Sequence, residues 1–375
     1  MNRVLGIIFS YSDRENLREL IATRTLASLP FAGKYRIIDF ILSNYVNSGI
    51  SDISIITRNN FHSLMDHLGS GKEWDLTRKR GGLRVLTPLS TPGNEDTGVY
   101  RGTIEALSRN MHSLKRAMAD YVIISGSSVI TNLDFETVLE SHIARNADIT
   151  AVYTRSRNSC NLIPIGTNLL EFDEKERICS VTTNVDDKKC QNAAWDMSIY
   201  VMKKSLLESL VADAMSYGRY DFQKDIIQRL WDTLNILGYE CKNHIFEISS
   251  VSGYMSANMS LLNKEVRDKT FVQPIYTKIK DSVPSRYVKG CDVRNSIISD
   301  GCIIEGLVEN SIISRGVRIG QGSEIKNSVI MQDTEIMKNV KLDHVILDKD
   351  VIVRDNRQLS GHGTYPVVIE KMSIV

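Results

Sequence analysis

Toward the carboxyl terminus one aliphatic residue recurs every five or six positions: Ile319, Ile325, Ile330, Ile336, Leu342, Leu347 and Val353. Small or turn-forming residues punctuate the same region, among them Gly301, Gly306, Gly316, Gly320, Gly322, Asn327 and Asn339. A period near six with one inward aliphatic per repeat is the pattern of a left-handed parallel β-helix, in which each six-residue side is one strand and three sides close a coil. A single coil cannot bury its aliphatic face, so coils must stack. The period persists from Tyr287 onward, which disfavours a run of antiparallel hairpins. An open β-helix end invites contact with a partner.

Residues 1–262 read differently. Short β-branched runs at 4–9, 53–57 and 121–125 alternate with helical spacing at 36–48 and 103–119. Strand–helix–strand alternation predicts an α/β, Rossmann-like domain with a mostly parallel sheet covered on both faces. Ligands of such sheets bind beyond the carboxyl ends of the strands, so the loops there are where chemistry is sought. Residues 263–286, polar and then marked by Pro274 and Pro284, read as a linker to a β-helix over 287–375.

The charge balance narrows the function. Forty-six basic residues against forty-five acidic leave a formal charge of +1, which argues against a broad nucleic-acid or membrane footprint. No apolar run approaches the ~20 residues of a membrane span. The first ten residues show neither a charged n-region nor a cleavage site, so a cytoplasmic protein is expected. None of the six cysteines forms a CxxC pair. His62 and His67, five apart, do not share one helix face, and no metal site is assigned to them.

The segment PFAGKYRIIDF (30–40) is dense in specific residues. Gly33 permits a tight loop and Lys34 places an ammonium near any anion bound there. Arg36 and Asp39, three apart on the following helix, could pair. This block resembles the "PFGGKYRIIDFPLSN" of ADP-glucose pyrophosphorylases. YRGT (100–103) resembles that family's "Y-x-G-T-A-D-A", and DFQKDII (221–227) its "DFGKDIIP". NSIISRGV (310–317), NSVIM (327–331) and VILDKD (345–350) are similar to its β-helix. The resemblance implies a nucleotidyltransferase domain, a carboxyl-terminal β-helix and a tetramer. It also implies the reaction of ATP with glucose 1-phosphate to give ADP-glucose and pyrophosphate, with Mg²⁺ at the phosphates.

The departures cluster in the implied active site. The family's glycine-rich loop, roughly "GGGxGxRLxxLTxxRAKPA", lets backbone N–H groups cradle a triphosphate. Here the stretch is SYSDREN (10–16), without glycine, and Asn16 stands where the loop's arginine is expected. Leu26 takes the place of the lysine. Ser127 replaces the aspartate after "LAGD" that holds Mg²⁺, and a neutral hydroxyl is a poor substitute for a carboxylate on a hard cation. Asn184 replaces the "EKP" lysine for the sugar phosphate, and "SMG" becomes Asp196-Met197-Ser198. Glu247 falls in the "DVGT" region.

Loss at Asn16, Ser127, Asn184 and Glu247 with retention of the fold-bearing blocks resembles the GlgD-type subunit of bacterial ADP-glucose pyrophosphorylase. The expectation is therefore a regulatory subunit with little activity alone, paired with a catalytic homologue in a heterotetramer, with self-association as an alternative. Residual nucleotide or anion binding is expected at Lys34, Arg36, Tyr100, Gly102 and Thr103, for a phosphorylated or nucleotide effector. No cofactor is assigned to the chain itself. Two rival readings stand beside this one: a competent adenylyltransferase with a rearranged loop, and a stand-alone effector-binding module.

Overall fold

The computed structural model describes residues 3–11, 16–88, 100–155, 168–183 and 194–375. Its amino-terminal part contains, in chain order, β1 (Val4–Phe9), α1 (Ile37–Asn47), β2 (Asp52–Ile56), α2 (His62–Leu68), β3 (Gly82–Leu86), α3 (Thr103–Arg109), α4 (Met111–Lys115), β4 (Tyr121–Ser125), α5 (Phe135–Ala144), β5 (Ile149–Thr154), β6 (Asn168–Phe172), β7 (Ile178–Thr183), β8 (Ala194–Lys203), α6 (Lys204–Ser216), β9 (Ile236–Glu240), α7 (Val251–Ser260) and α8 (Lys264–Thr270). The strands form one sheet in the order β7-β6-β8-β4-β1-β2-β3, with β5 between β8 and β9. The half that carries the candidate site, β4-β1-β2-β3, is parallel. In the other half β8 runs antiparallel to β4, β5 and β6.

The sequence accounts for this layering. β1 reads VLGIIF without alternation because both its faces are covered, as parallel strands require. On one face Ile38, Ile41 and Tyr45 of α1 and Phe135 and Val138 of α5 pack against Ile8, Ile53 and Ile123. On the other, Leu107 of α3 and Leu207 and Val211 of α6 meet Leu5, Ile7 and Ile124. Gly6 is where α1 comes closest, since a Cβ there would lie 2.8 Å from the Tyr45 ring. That ring's hydroxyl in turn donates to the Ile123 carbonyl at 3.1 Å.

Two local expectations need correction. The single helix over 103–119 is broken at Asn110, giving α3 and α4. The Asn110 amide donates to the Ala106 carbonyl at 2.8 Å and to the Tyr100 hydroxyl at 3.2 Å. A side-chain amide competing with the backbone ladder is the usual reason asparagine interrupts a helix. The polar stretch expected as linker starts with a helix, α8, which Asn263 caps by accepting from Glu265 N–H at 2.8 Å.

Residues 286–369 wind into a parallel β-helix of three five-stranded sheets. Ile304, Ile319, Ile336 and Val353 stack on one side, and Val308, Ile325 and Leu342 on the next. Ile313, Ile330 and Leu347 line the third. Asparagines take the left-handed corners, Asn295, Asn310 and Asn327 having φ of 41°, 47° and 46°. The β-helix is not a separate appendage. Val329, Met331 and Ile346 share one buried cluster with Leu26, Phe31, Phe40 and Tyr254 of the amino-terminal part. Among the described residues no helix is long and apolar enough to cross a membrane.

Candidate functional site

β1 and β4 are parallel neighbours with Ile8 opposite Ser125, so their carboxyl ends deliver Ser10-Tyr11 and Gly126-Ser127-Ser128 side by side. A cleft of about 100 Å³ opens there, well under the ~300–1,000 Å³ of common small-molecule sites. Phe9, Tyr11, Ile124, Tyr200 and Phe222 give it apolar walls, and Thr103, Ser128, Ser198, Asp221 and Gln223 its polar groups. No lysine or arginine is among these lining residues.

Where the chain leaves β1, an aromatic ring fills space. Tyr11 is buried edge-on to Phe9, with ring centroids 5.8 Å apart. The Arg58 guanidinium lies 4.1 Å from the centre of the Tyr11 ring and donates to the Tyr100 carbonyl at 3.3 Å. This cation is thus held against a ring. Residues 12–15 lie outside the described residues. Asn16 is exposed, and its N–H donates to the Ser249 carbonyl at 2.7 Å.

Ser127 is 1 % exposed, and its Oγ has no hydrogen-bond partner. Glu247 sits nearby on a two-residue strand opposite Val129, and the next N–H, of Ile248, donates to the Ser128 carbonyl at 2.8 Å. The fold therefore gathers Asn16, Ser127 and Glu247 around the strand ends, while Asn184 lies outside the described residues. Among the described residues, the Mg²⁺ that the resemblance implies finds no matching set of donors. A buried neutral hydroxyl stands at the expected ligand position, and the described residues contain no group of three His, Cys, Asp or Glu side chains able to hold an ion.

The floor of the cleft is tied up in its own hydrogen bonds. Asp196 accepts from Ser198 N–H at 2.9 Å, from Gln223 Nε2 at 3.2 Å and from the Tyr200 hydroxyl. Gln223 also donates to Ser198 Oγ at 2.6 Å. Ser198 has φ of 57°, a left-handed conformation natural to the glycine of "SMG" and strained for serine. Asp196 is 7 % exposed, and a carboxylate so placed repels a phosphate.

Tyr100, Gly102 and Thr103 form a clamped loop. A Cβ on Gly102 would lie 2.3 Å from the Tyr220 carbonyl oxygen, so only glycine lets the two segments meet. Ile104 N–H donates to that same oxygen at 2.8 Å, and Thr103 Oγ1 accepts from Phe222 N–H at 3.0 Å. Glu105 secures the turn. Burial pushes its carboxyl up, but hydrogen bonds from Arg101 and Arg109 outweigh this and hold it down at about 2. Of the three loop residues, only Thr103 lines the cleft.

Lys34 and Arg36 are not brought to the cleft. A Cβ on Gly33, at φ of 79°, would lie 2.6 Å from Ser299 Oγ of the β-helix, and the Lys34 carbonyl accepts from Arg315 at 2.8 Å. The Lys34 ammonium is exposed, 5.1 Å from the Tyr35 ring centre. Arg36 donates through its guanidinium to Ser63 Oγ at 3.0 Å, not to Asp39. Asp39 instead accepts from Arg36 N–H at 2.8 Å, starting α1, and lies 2.6 Å from His67. The expected side-chain pair fails because Asp39 points back to the helix start. These cations belong to the junction between the two domains. There Arg24 and Asp348 form an ion pair at 2.6 Å, with side chains 2 % and 1 % exposed. Burial, helped by Arg36 and Arg24, pulls Lys349 down to about 7. Nothing local in the sequence marks Arg24, Asp348 or Lys349, since the partners lie far apart along the chain.

Comparison with known proteins agrees with this architecture. Residues 15–264 match the nucleotidyl transferase family, and residues 281–362 match the GlmU-like, C-terminal hexapeptide family. The chain is 33 % identical over 99 % of its length to the glycogen biosynthesis protein GlgD of Bacillus subtilis (strain 168), covering 96 % of that protein. It is 35 % identical to the glycogen biosynthesis protein GlgD of Geobacillus stearothermophilus, over 86 % of this chain and 83 % of that one. The glucose-1-phosphate adenylyltransferase of Fervidobacterium nodosum is 31 % identical over 96 % of the chain and 87 % of its own length.

Proposed function

The chain belongs to the nucleotidyl transferase family, with glycogen biosynthesis GlgD proteins and glucose-1-phosphate adenylyltransferases among its relatives, and from that membership we propose that it is a regulatory subunit of glycogen synthesis. It keeps the adenylyltransferase fold, does little or no chemistry alone, and acts on a catalytic homologue within a hetero-oligomer.

One observation carries this reading: the strand-end cleft has the electrostatics opposite to what the reaction needs. Transfer between a triphosphate and a sugar phosphate depends on positioning and on neutralising charge. The described lining offers a carboxylate at Asp221 and no cation, and just behind it stand the neutral, unpartnered hydroxyl of Ser127 and the buried carboxylate of Asp196. The fold around it is intact, with the Gly102 loop clamped and the β-helix fused to the sheet domain by a shared core. A subunit that retains its surfaces and loses its chemistry can still bias a partner. Coupling of that kind needs only ~1–3 kcal/mol of differential contact energy. The β-helix and the exposed strap before it, with Ile279 and Val283 about 70 % exposed, are the surfaces proposed for pairing.

Co-expression with an intact glucose-1-phosphate adenylyltransferase tests the proposal. The two chains should elute as one complex, and the partner's turnover or effector response should rise relative to the partner alone. Separate elution with unchanged kinetics contradicts the reading.

A further inference from the structure

We propose that the groove between α7 and the asparagine corner of the β-helix binds a neutral α-glucan chain. The choice of a glucan among neutral sugars rests on the proposed role in glycogen synthesis. The groove itself is separate from the strand-end cleft, with which it shares no lining residue.

The groove encloses about 500 Å³, within the ~300–1,000 Å³ of common small-molecule sites. One wall is a column of side chains, Asn295, Asn310, Asn327 and His344, one from each successive coil and each at a left-handed corner. Paired strands of adjacent coils lie ~4.8 Å apart, close to the span of one glucosyl unit. The column thus presents one polar side chain per sugar. The facing wall carries Met255 and Met259, one turn apart on α7. Their flexible thioether side chains suit the C–H face of a sugar ring.

Charge and hydrogen bonding set the class of ligand. No Asp, Glu, Lys or Arg lines the groove, so a phosphorylated ligand would meet no counter-charge there. His344 lies with Nδ1 2.8 Å from Asp343, outside the lining. The amide column is only partly satisfied by itself. Asn295 Nδ2 donates to Asn310 Oδ1 at 2.7 Å, and Asn327 Nδ2 turns to Asp343 Oδ1 at 2.9 Å. Among the described residues no hydrogen bond joins Asn310 to Asn327, so Asn310 keeps a donor and Asn327 an acceptor on adjacent coils. A ladder serving the fold alone would close this step, as Asn339 does by donating to Asn356 at 3.3 Å on another corner. Sugar hydroxyls both donate and accept, and so match the open pair.

Calorimetric titration of the full chain with maltotriose tests the site. A trisaccharide is too large for the strand-end cleft of about 100 Å³, so the two sites are not confused. The wild type should bind saturably with a Kd of about 1 mM or below. Asn310→Gly removes the open donor yet suits the left-handed φ of 47°, and should weaken binding about tenfold. Ser256→Trp, which fills the groove from α7 and leaves the β-helix untouched, should abolish binding. No saturation by the wild type up to ~10 mM, or equal affinity in the wild type and both variants, overturns the proposal. Pairing with a catalytic homologue is read by co-elution instead, so the two readings fail separately.

Discussion

Purified alone and given ATP, glucose 1-phosphate and Mg²⁺, the chain should turn over at least ~10³-fold more slowly than the ~10 s⁻¹ typical of enzymes. Losing a single preorganised donor to a developing charge commonly costs ~10²–10³ in rate. Several such groups are altered here at once. Ser127 offers a neutral hydroxyl in place of the implied metal carboxylate. Tyr11, on the way out of β1, packs its ring under Arg58. Asp196 sets a carboxylate, braced by Gln223, where a sugar phosphate would approach. A pyrophosphate-release assay reads the outcome directly, and sustained turnover near ordinary enzyme rates contradicts the account.

Arg24→Ala should destabilise the chain by about 3 kcal/mol, the lower end of the range for breaking a buried ion pair from one side. It strands the Asp348 carboxylate at 1 % exposure, with Lys349 beside it as a partial offset. The double replacement Arg24→Met with Asp348→Leu should recover most of that loss, because matched apolar groups leave no unpaired charge. Chemical denaturation of the three proteins measures both effects. A loss under ~1 kcal/mol for Arg24→Ala would mean that the pair does not hold the domains together.

Much of the architecture is legible in local pattern. The aliphatic repeat from Ile319 to Val353 marks the β-helix because each coil buries one residue per side, and Ile319, Ile336 and Val353 do stack in one column. The strand at Val4–Phe9 is legible because burial on both faces leaves an unbroken apolar run. What local pattern misses depends on side chains that reach across the chain. Asn110 breaks a helix by bonding to Ala106 and Tyr100. The antiparallel half of the sheet rests on β8, whose partners are set by distant segments. For the site, the resemblance points to Thr103, which lines the cleft, and to Ser127 at the end of β4, yet it cannot show that Lys34 and Arg36 face the β-helix. That follows only once Gly33 is seen against Ser299. The ion pair of Arg24 and Asp348 is invisible for the same reason, since each residue alone reads as an ordinary surface charge.

The most direct test is equilibrium binding of ATP to the isolated chain, by calorimetry, with and without Mg²⁺. The account predicts no magnesium-dependent affinity, because the strand-end loops present no carboxylate at position 127 and no cation in the described lining. Micromolar binding that appears with Mg²⁺ and vanishes with chelator would contradict it, by showing that other groups hold the metal and the triphosphate together.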